Sequence, residues 1–291
     1  MNSRQEENMK QLIDVPIKNE NLCMIDGITF AQVPYWFPCY NYRDLKMNII
    51  RPFSKAEDKR PLVIWICGGA WITMDRSAHT PYLAEYARHG YIVASIEYRL
   101  SGSACFPAQL QDVKAAIRYL RAHAPEYGID PEQIALMGES AGGYLAAMAG
   151  AANGSEFDVG EYPDQSSHVQ AVVDFYGPVH FTGHAADNPQ GCATPEQMLL
   201  GYNPQLCPQR AMEADVTAYI DENTPPYFIL QGMEDPFVSP ENAEYLYEAL
   251  TAKKISAQLY EIRGAGHASP EFYQKEMTDK ILQFLDAVLK K

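Results

Sequence analysis

The chain predicts a doubly wound α/β fold, a mostly parallel sheet with a small cap insertion. Three observations predict it. Continuous apolar runs recur along the chain, helical patterns separate them, and one run ends in a glycine-flanked serine that leads into an Ala-rich stretch. Strands that are apolar without interruption are buried on both faces, as in a parallel sheet covered by helices.

The elements follow in order. Segments 28–36 and 44–51 read as strands; Leu45, Met47 and Ile49 alternate as on a half-buried antiparallel strand. Leu62-Val63-Ile64-Trp65-Ile66-Cys67 is the first continuous run. Residues 91–96, 134–137, 169–173, 227–230 and, more weakly, 257–262 are the others. Residues 107–123 carry Leu110, Val113, Ile117 and Leu120 at helical spacing. Ser239-Pro240-Glu241 opens a later helix with an N-cap serine and a first-turn proline, and Ser269-Pro270-Glu271 opens the last. Residues 181–215 show no period, and a long irregular connection of this kind suits a cap over the site. The whole, 1–291, reads as one domain, with ligands expected at the carboxyl ends of the strands.

Bulk properties narrow the function. A chain of 291 residues, 47% hydrophobic, can bury a large core without metal or disulfides. A formal net charge of −14 argues against nucleic acid and anionic membrane as partners. There is no secretory h-region at the start and no run of 18 apolar residues. The six cysteines are scattered without zinc spacing, so a cytoplasmic protein with reduced thiols is expected. Cys192 and Cys207, on one irregular segment, are the pair to check for a bridge.

The chemistry starts at Gly138-Glu139-Ser140-Ala141-Gly142. A serine in so tight a strand-to-helix turn takes a strained backbone, and its neighbours two residues away must be glycine to avoid collision. In return its Oγ stands exposed at a helix N-terminus. A serine hydroxyl needs a base, and the base needs a carboxylate. Among seven histidines, His267 sits just past the last strand, in Gly264-Ala265-Gly266-His267. His89 and His123 fall on covering helices, while His180 and His184 begin the irregular segment. After strand 227–230 come Glu234 and Asp235. Pro236 forces Asp235 into an extended conformation suited to reaching a neighbouring loop, so Asp235 is preferred. Acyl transfer also needs N–H donors for the developing oxyanion, each worth about 3 kcal/mol. Ala141 supplies one, and the loop Cys67-Gly68-Gly69-Ala70-Trp71 supplies the other.

These motifs resemble the α/β-hydrolase superfamily, in particular the hormone-sensitive-lipase-like and BD-FAE-like esterases. The resemblance is carried by Gly68-Gly69-Ala70-Trp71, Tyr98-Arg99-Leu100, Gly138-Glu139-Ser140-Ala141-Gly142-Gly143, Asp235-Pro236-Phe237-Val238 and Gly266-His267, and spans roughly residues 45–290. It implies a Ser140, Asp235, His267 triad and an oxyanion hole of Gly69, Ala70 and Ala141. It also implies a structural role for Asp112, in Phe106–Val113. Cys67 stands where the family usually has histidine, outside the triad.

The function expected from this resemblance is a carboxylic ester hydrolase working through an acyl-enzyme, without cofactor or metal. The substrates implied are acetyl or feruloyl esters of plant-derived oligosaccharides. A general short-chain acyl esterase, an arylformamidase and a peptidase are the alternatives within the fold, and a non-catalytic binding protein is the alternative outside it. The expected partner is a small-molecule or oligosaccharide ester, with a homo-oligomer left open. Aromatics suited to stacking on sugar or phenolic rings are Trp36, Phe37, Tyr40, Trp71, Phe175 and Tyr176; Trp71 and Tyr176 are the expected substrate contacts.

Overall fold

The computed structural model describes residues 10–17, 20–35, 41–53, 59–153, 155–181 and 192–290. Strands β1 (Leu22–Pro34) and β2 (Tyr42–Pro52) pair antiparallel. β1 begins six residues before the pattern places it. Its register shifts around Gly27, which has a left-handed φ of 70°, so the alternation is broken and the first half is illegible as a strand. Residue 36, its expected end, lies outside the described residues.

The chain then alternates: β3 (Arg60–Ile66), α1 (Thr80–Arg88), β4 (Ile92–Ile96), α2 (Ala108–Ala122), α3 (Ala124–Tyr127), β5 (Ile129–Glu139), α4 (Ala141–Ala151), β6 (Ala171–Phe175). Two short helices, α5 (Pro195–Leu200) and α6 (Pro208–Ala211), precede β7 (Tyr227–Gly232), α7 (Glu241–Ala252), β8 (Ala257–Ile262) and α8 (Lys275–Leu289). The sheet order is β1-β2-β4-β3-β5-β6-β7-β8, parallel from β4 onward. This is the α/β-hydrolase fold.

β3 shows why its run is apolar throughout. Leu62, Ile64 and Ile66 pack with Leu110, Val113 and Ile117 of α2, while Val63 and Trp65 pack with Leu83 of α1 and Leu285 of α8. Each successive residue meets a different helix layer, and each loses roughly 1.5–3 kcal/mol if left in water. β8 is an edge strand, which explains its weaker signal.

Two helix starts differ from the sequence pattern. Pro240 is already in a helical conformation as the cap of α7, and Ser239 Oγ accepts the Glu241 N–H at 3.4 Å. Ser269-Pro270 opens a single 3₁₀ turn, Pro270–Tyr273; extended Gln274 then separates it from α8. Of the cap segment, residues 182–191 lie outside the described residues. The remainder holds α5 and α6, anchored where Leu199 C=O accepts the Phe106 N–H at 2.7 Å. Cys192 and Cys207 form no disulfide. Among the described residues no helix is long and apolar enough to cross a membrane.

Candidate active site

Ser140 joins β5 to α4 with φ 52° and ψ −120°, a conformation costing a non-glycine residue roughly 1–3 kcal/mol. The sheet holds it there: Ser140 N–H donates to Phe175 C=O at 2.8 Å, and Ser140 C=O accepts from Tyr144 N–H at 3.0 Å. The flanking glycines are required by contact. A Cβ on Gly138 would lie 2.3 Å from Gly142 O, and one on Gly142 would lie 2.0 Å from Ile66 O.

Asp235 and His267 stand on neighbouring loops after β7 and β8. Gly232 permits their approach, since a Cβ there would lie 2.5 Å from Ala265 O. His267 Nδ1 is 2.7 Å from Asp235 Oδ2, and its Nε2 is 2.9 Å from Ser140 Oγ. The other Asp235 oxygen accepts the Phe237 and Val238 N–H groups at 2.8 and 2.9 Å. Burial alone would raise the Asp235 carboxyl. The hydrogen bonds from His267, Val238 and Phe237, with the His267 charge, outweigh it and hold the group below its ordinary value. An ionised Asp235 fixes the tautomer with the proton on Nδ1, leaving Nε2 to accept from Ser140. Glu234, the neighbouring acid, is exposed and takes no part.

The glycine loop after β3 has three consecutive positive φ values, 120° at Gly69, 55° at Ala70 and 58° at Trp71. Gly69 C=O accepts from the Ile72 and Thr73 N–H groups, so the loop curls back on itself in a tight turn. No described residue accepts a hydrogen bond from the N–H of Gly69, Ala70 or Ala141. The Trp71 indole N–H donates to Ala141 C=O at 3.1 Å and ties this loop to the start of α4.

The expected substrate contacts at Trp71 and Tyr176 are corrected by burial. Trp71 is 2% exposed and Tyr176 1%, so neither presents a face to a ligand. Trp71 packs edge-on against Tyr144, and the Tyr176 hydroxyl donates to Glu139. Phe175 is likewise buried, and Trp36, Phe37 and Tyr40 lie outside the described residues. The exposed aromatic at the site is one the sequence reading passed over. Phe237, 81% exposed, sets its ring 5.6 Å from that of His267. It borders a groove of about 490 Å³ whose other walls include His180, Glu196, Gln197, Asn203 and Gln205.

The remaining histidines are used elsewhere. His89 Nδ1 contacts Glu85 C=O, and His123 contacts Glu126 and Tyr162. His184 lies outside the described residues. Asp112 pairs with Arg99 at 2.8 Å, a structural tie. Two further acids were missed. Asp174, on the apolar strand β6, abuts Gly143 and Gly177; burial pushes its carboxyl up to about 7 against the pull of the Gly177 N–H. Glu139 Oε1 accepts from Gly68 N–H at 3.1 Å, at the root of the glycine loop. Around it stand Cys67 and His79, with donor atoms of all three within 4.8 Å of one another. Burial pushes the Cys67 thiol up to about 11, so it is no nucleophile at neutral pH. Burial also lowers the His79 pKa, against the raising effect of Glu139 and Asp75.

Known proteins are similar over most of this chain. The BD-FAE family model matches residues 47–250. The probable carboxylic ester hydrolase LipM of Mycobacterium tuberculosis is 33% identical over 212 residues, 72% of this chain and 48% of that protein. The chain spans about half the length of the curated relatives it matches. A truncated carbohydrate esterase from gut microbiota superposes with TM-score 0.79 at 27% identity, covering 95% of this chain and 99% of that one. A bifunctional GH43-CE protein of Bacteroides eggerthii gives TM-score 0.78 at 30% identity, covering 91% of this chain and 35% of that one.

Proposed function

The chain belongs to the BD-FAE family of the α/β-hydrolase superfamily, and from that premise we propose that it is a serine carboxylic ester hydrolase acting on acyl esters of carbohydrates. The observation that carries the proposal is the line Ser140 Oγ, His267 Nε2, His267 Nδ1, Asp235 Oδ2, with spacings of 2.9 and 2.7 Å beside unpaired N–H groups.

Ser140 Oγ attacks the ester carbonyl carbon as His267 Nε2 takes its proton. Asp235 keeps Nδ1 protonated and stabilises the imidazolium that forms. The oxyanion meets the Ala141 N–H and those of Gly69 and Ala70, which need no reorganisation because no described residue accepts from them. The imidazolium then gives its proton to the departing alcohol. Water, activated by the same nitrogen, cleaves the acyl-serine and releases the acid.

A carbohydrate alcohol is favoured by two facts. The groove beside Phe237 carries the amide and carboxylate side chains Glu196, Gln197, Asn203 and Gln205, which suit hydroxyl groups. The gut-microbiota and Bacteroides structures similar to this chain are a carbohydrate esterase and a GH43-CE protein. Acetyl and feruloyl are the acyl groups to test. The measurement is kcat/KM for methyl ferulate, p-nitrophenyl acetate and acetylated xylo-oligosaccharides, with Ser140→Ala as blank. Turnover of the acetylated xylo-oligosaccharides that vanishes in the blank supports the proposal, and turnover of methyl ferulate identifies a phenolic acyl pocket. Turnover of p-nitrophenyl acetate alone overturns the carbohydrate reading, and equal turnover by Ser140→Ala overturns the serine mechanism.

A further inference from the structure

We propose that Cys67, His79 and Glu139 form a binding site for one zinc-class divalent cation, separate from the Ser140–His267 pair, whose occupation loosens the glycine loop. The donors are a thiol, an imidazole and a carboxylate, the set that selects zinc over magnesium or calcium.

The geometry is close to the requirement. Cys67 Sγ is 3.9 Å from Glu139 Oε1, and His79 Nε2 is 3.7 Å from the same oxygen. A tetrahedral zinc holds sulfur, nitrogen and oxygen donors about 3.3–3.5 Å apart. The two edges at Glu139 Oε1 need to shorten by only a few tenths of an ångström, and the sulfur–nitrogen edge, which lies within 4.8 Å, closes with rotation of the Cys67 and His79 side chains. Each of the three residues is held in place by its neighbours. Cys67 C=O accepts the Tyr98 hydroxyl at 2.8 Å, and the other oxygen of Glu139 accepts the Tyr176 hydroxyl at 3.0 Å. The His79 ring is packed 4.9 Å from Trp65 and 5.7 Å from Tyr273. Its Nδ1 is buried without a hydrogen-bond partner, so all its polar contacts lie on the Nε2 edge. A route inward exists too. A cavity of about 430 Å³ between α1 and α8 is lined by His79 and Tyr273 and reaches the exposed Lys275 and Asp279.

The consequence follows from Glu139. Its Oε1 is the acceptor for the Gly68 N–H, one residue before Gly69. A cation on Oε1 competes for that oxygen's lone pairs, and the loop that presents the Gly69 and Ala70 N–H groups relaxes. Zinc is therefore expected to lower esterase turnover. That consequence rests on the function proposed above; binding itself does not.

The test is titration of the full chain with Co²⁺, followed through the thiolate-to-cobalt charge-transfer band, with Zn²⁺ as competitor. One Co²⁺ per chain is expected to generate the band. Cys67→Ser should abolish it, His79→Ala should weaken binding by about 10- to 100-fold, and Cys105→Ser, at an exposed thiol, should leave it intact. Should Cys67→Ser fail to fold, His79→Ala decides the matter alone. No band, a band that persists in Cys67→Ser or at full affinity in His79→Ala, or one lost in Cys105→Ser overturns the site. A band with turnover unaffected by Zn²⁺ overturns only the coupling to the loop.

Discussion

Ser140 lies between two histidine–carboxylate pairs that differ in every property except composition. On one side His267 and Asp235 stand 2.7 Å apart, with both imidazole nitrogens engaged and both carboxylate oxygens accepting hydrogen bonds. On the other side His79 and Glu139 are 3.7 Å apart, with His79 Nδ1 unpartnered. The carboxylates differ in what they hold. Asp235 orients an imidazole aimed at the serine, whereas Glu139 fastens the glycine loop through Gly68. Proximity to a nucleophile is thus not what makes a general base. A base needs one nitrogen committed to an acceptor and the other aimed at the nucleophile; His267 meets both conditions, whereas His123, with Nδ1 on Glu126, turns its Nε2 to the Tyr162 hydroxyl.

The largest effects should fall on one side of this contrast. His267→Ala is expected to lower kcat by at least about 10⁴-fold, and Asp235→Asn by about 10³–10⁴-fold, with KM nearly constant. His79→Ala and Glu139→Gln act only through the support of the loop, so losses within about tenfold are expected. Steady-state kinetics on one ester checks all four. A Glu139→Gln loss as deep as that of Asp235→Asn would break the contrast and make Glu139 a direct participant.

The same contrast shows what the sequence made legible. The elbow, Asp235 and His267 each sit at a strand tip with a local marker: flanking glycines, a following proline, a Gly-x-Gly run. All three tips lie at the same carboxyl edge of one parallel sheet, Asp235 and His267 after the neighbouring strands β7 and β8, and their loops reach across β6 to Ser140 after β5. The Glu139 cluster is only partly marked: Cys67 and Glu139 sit at glycine-bearing strand tips, but His79 precedes α1 with no marker of its own. Its members are spread from Cys67 to Glu139, and nothing periodic links them. Aromatics misled for a related reason. Composition counts rings but does not say which face of the sheet they meet, so Trp71 and Tyr176 read as substrate contacts although both are core, while Phe237 figured only as part of the Asp235–Val238 motif. Asp174 did leave a trace, a lone charge inside the apolar run of β6.

Asp174 sharpens the comparison because it is a buried carboxylate with no cationic partner among the described residues. Its pKa is raised to about 7, so the folded state holds the proton more tightly than the unfolded chain does. The stability it contributes is fully present below the unfolded value near 3.8 and is lost as pH rises through about 7. Asp235 has the opposite sign: its pKa is lowered, so its contribution is present above the unfolded value and is lost as pH falls through the folded one. Asp174→Asn should therefore match the parent near pH 4 and exceed it at pH 9 by up to about 4 kcal/mol. Urea denaturation of the two proteins at both pH values measures the difference. A constant offset across that range would mean that Asp174 is ionised in the fold.

The smallest expected effect is at Phe237, where the contrast becomes one of access. The His267 side of the serine opens onto the groove beside Phe237, whereas on the other side Cys67 and Glu139 are buried and line no part of the cavity that reaches His79. Phe237 projects from the open side, bordering the groove with most of its ring in water. Removing it costs no core packing, so Phe237→Ala should fold with unchanged stability. Stacking on a sugar or phenolic ring is worth about 1 kcal/mol, which predicts a rise in KM of about fivefold for methyl ferulate or an acetylated oligosaccharide. Turnover of p-nitrophenyl acetate should change less than twofold if its small leaving group does not reach the ring. Phe237→Trp should restore binding. The alternative is a fall in kcat for every ester at constant KM. In that case the ring acts on His267, 5.6 Å away, rather than on the substrate, and the open side is as much a scaffold for the imidazole as a platform for the ligand.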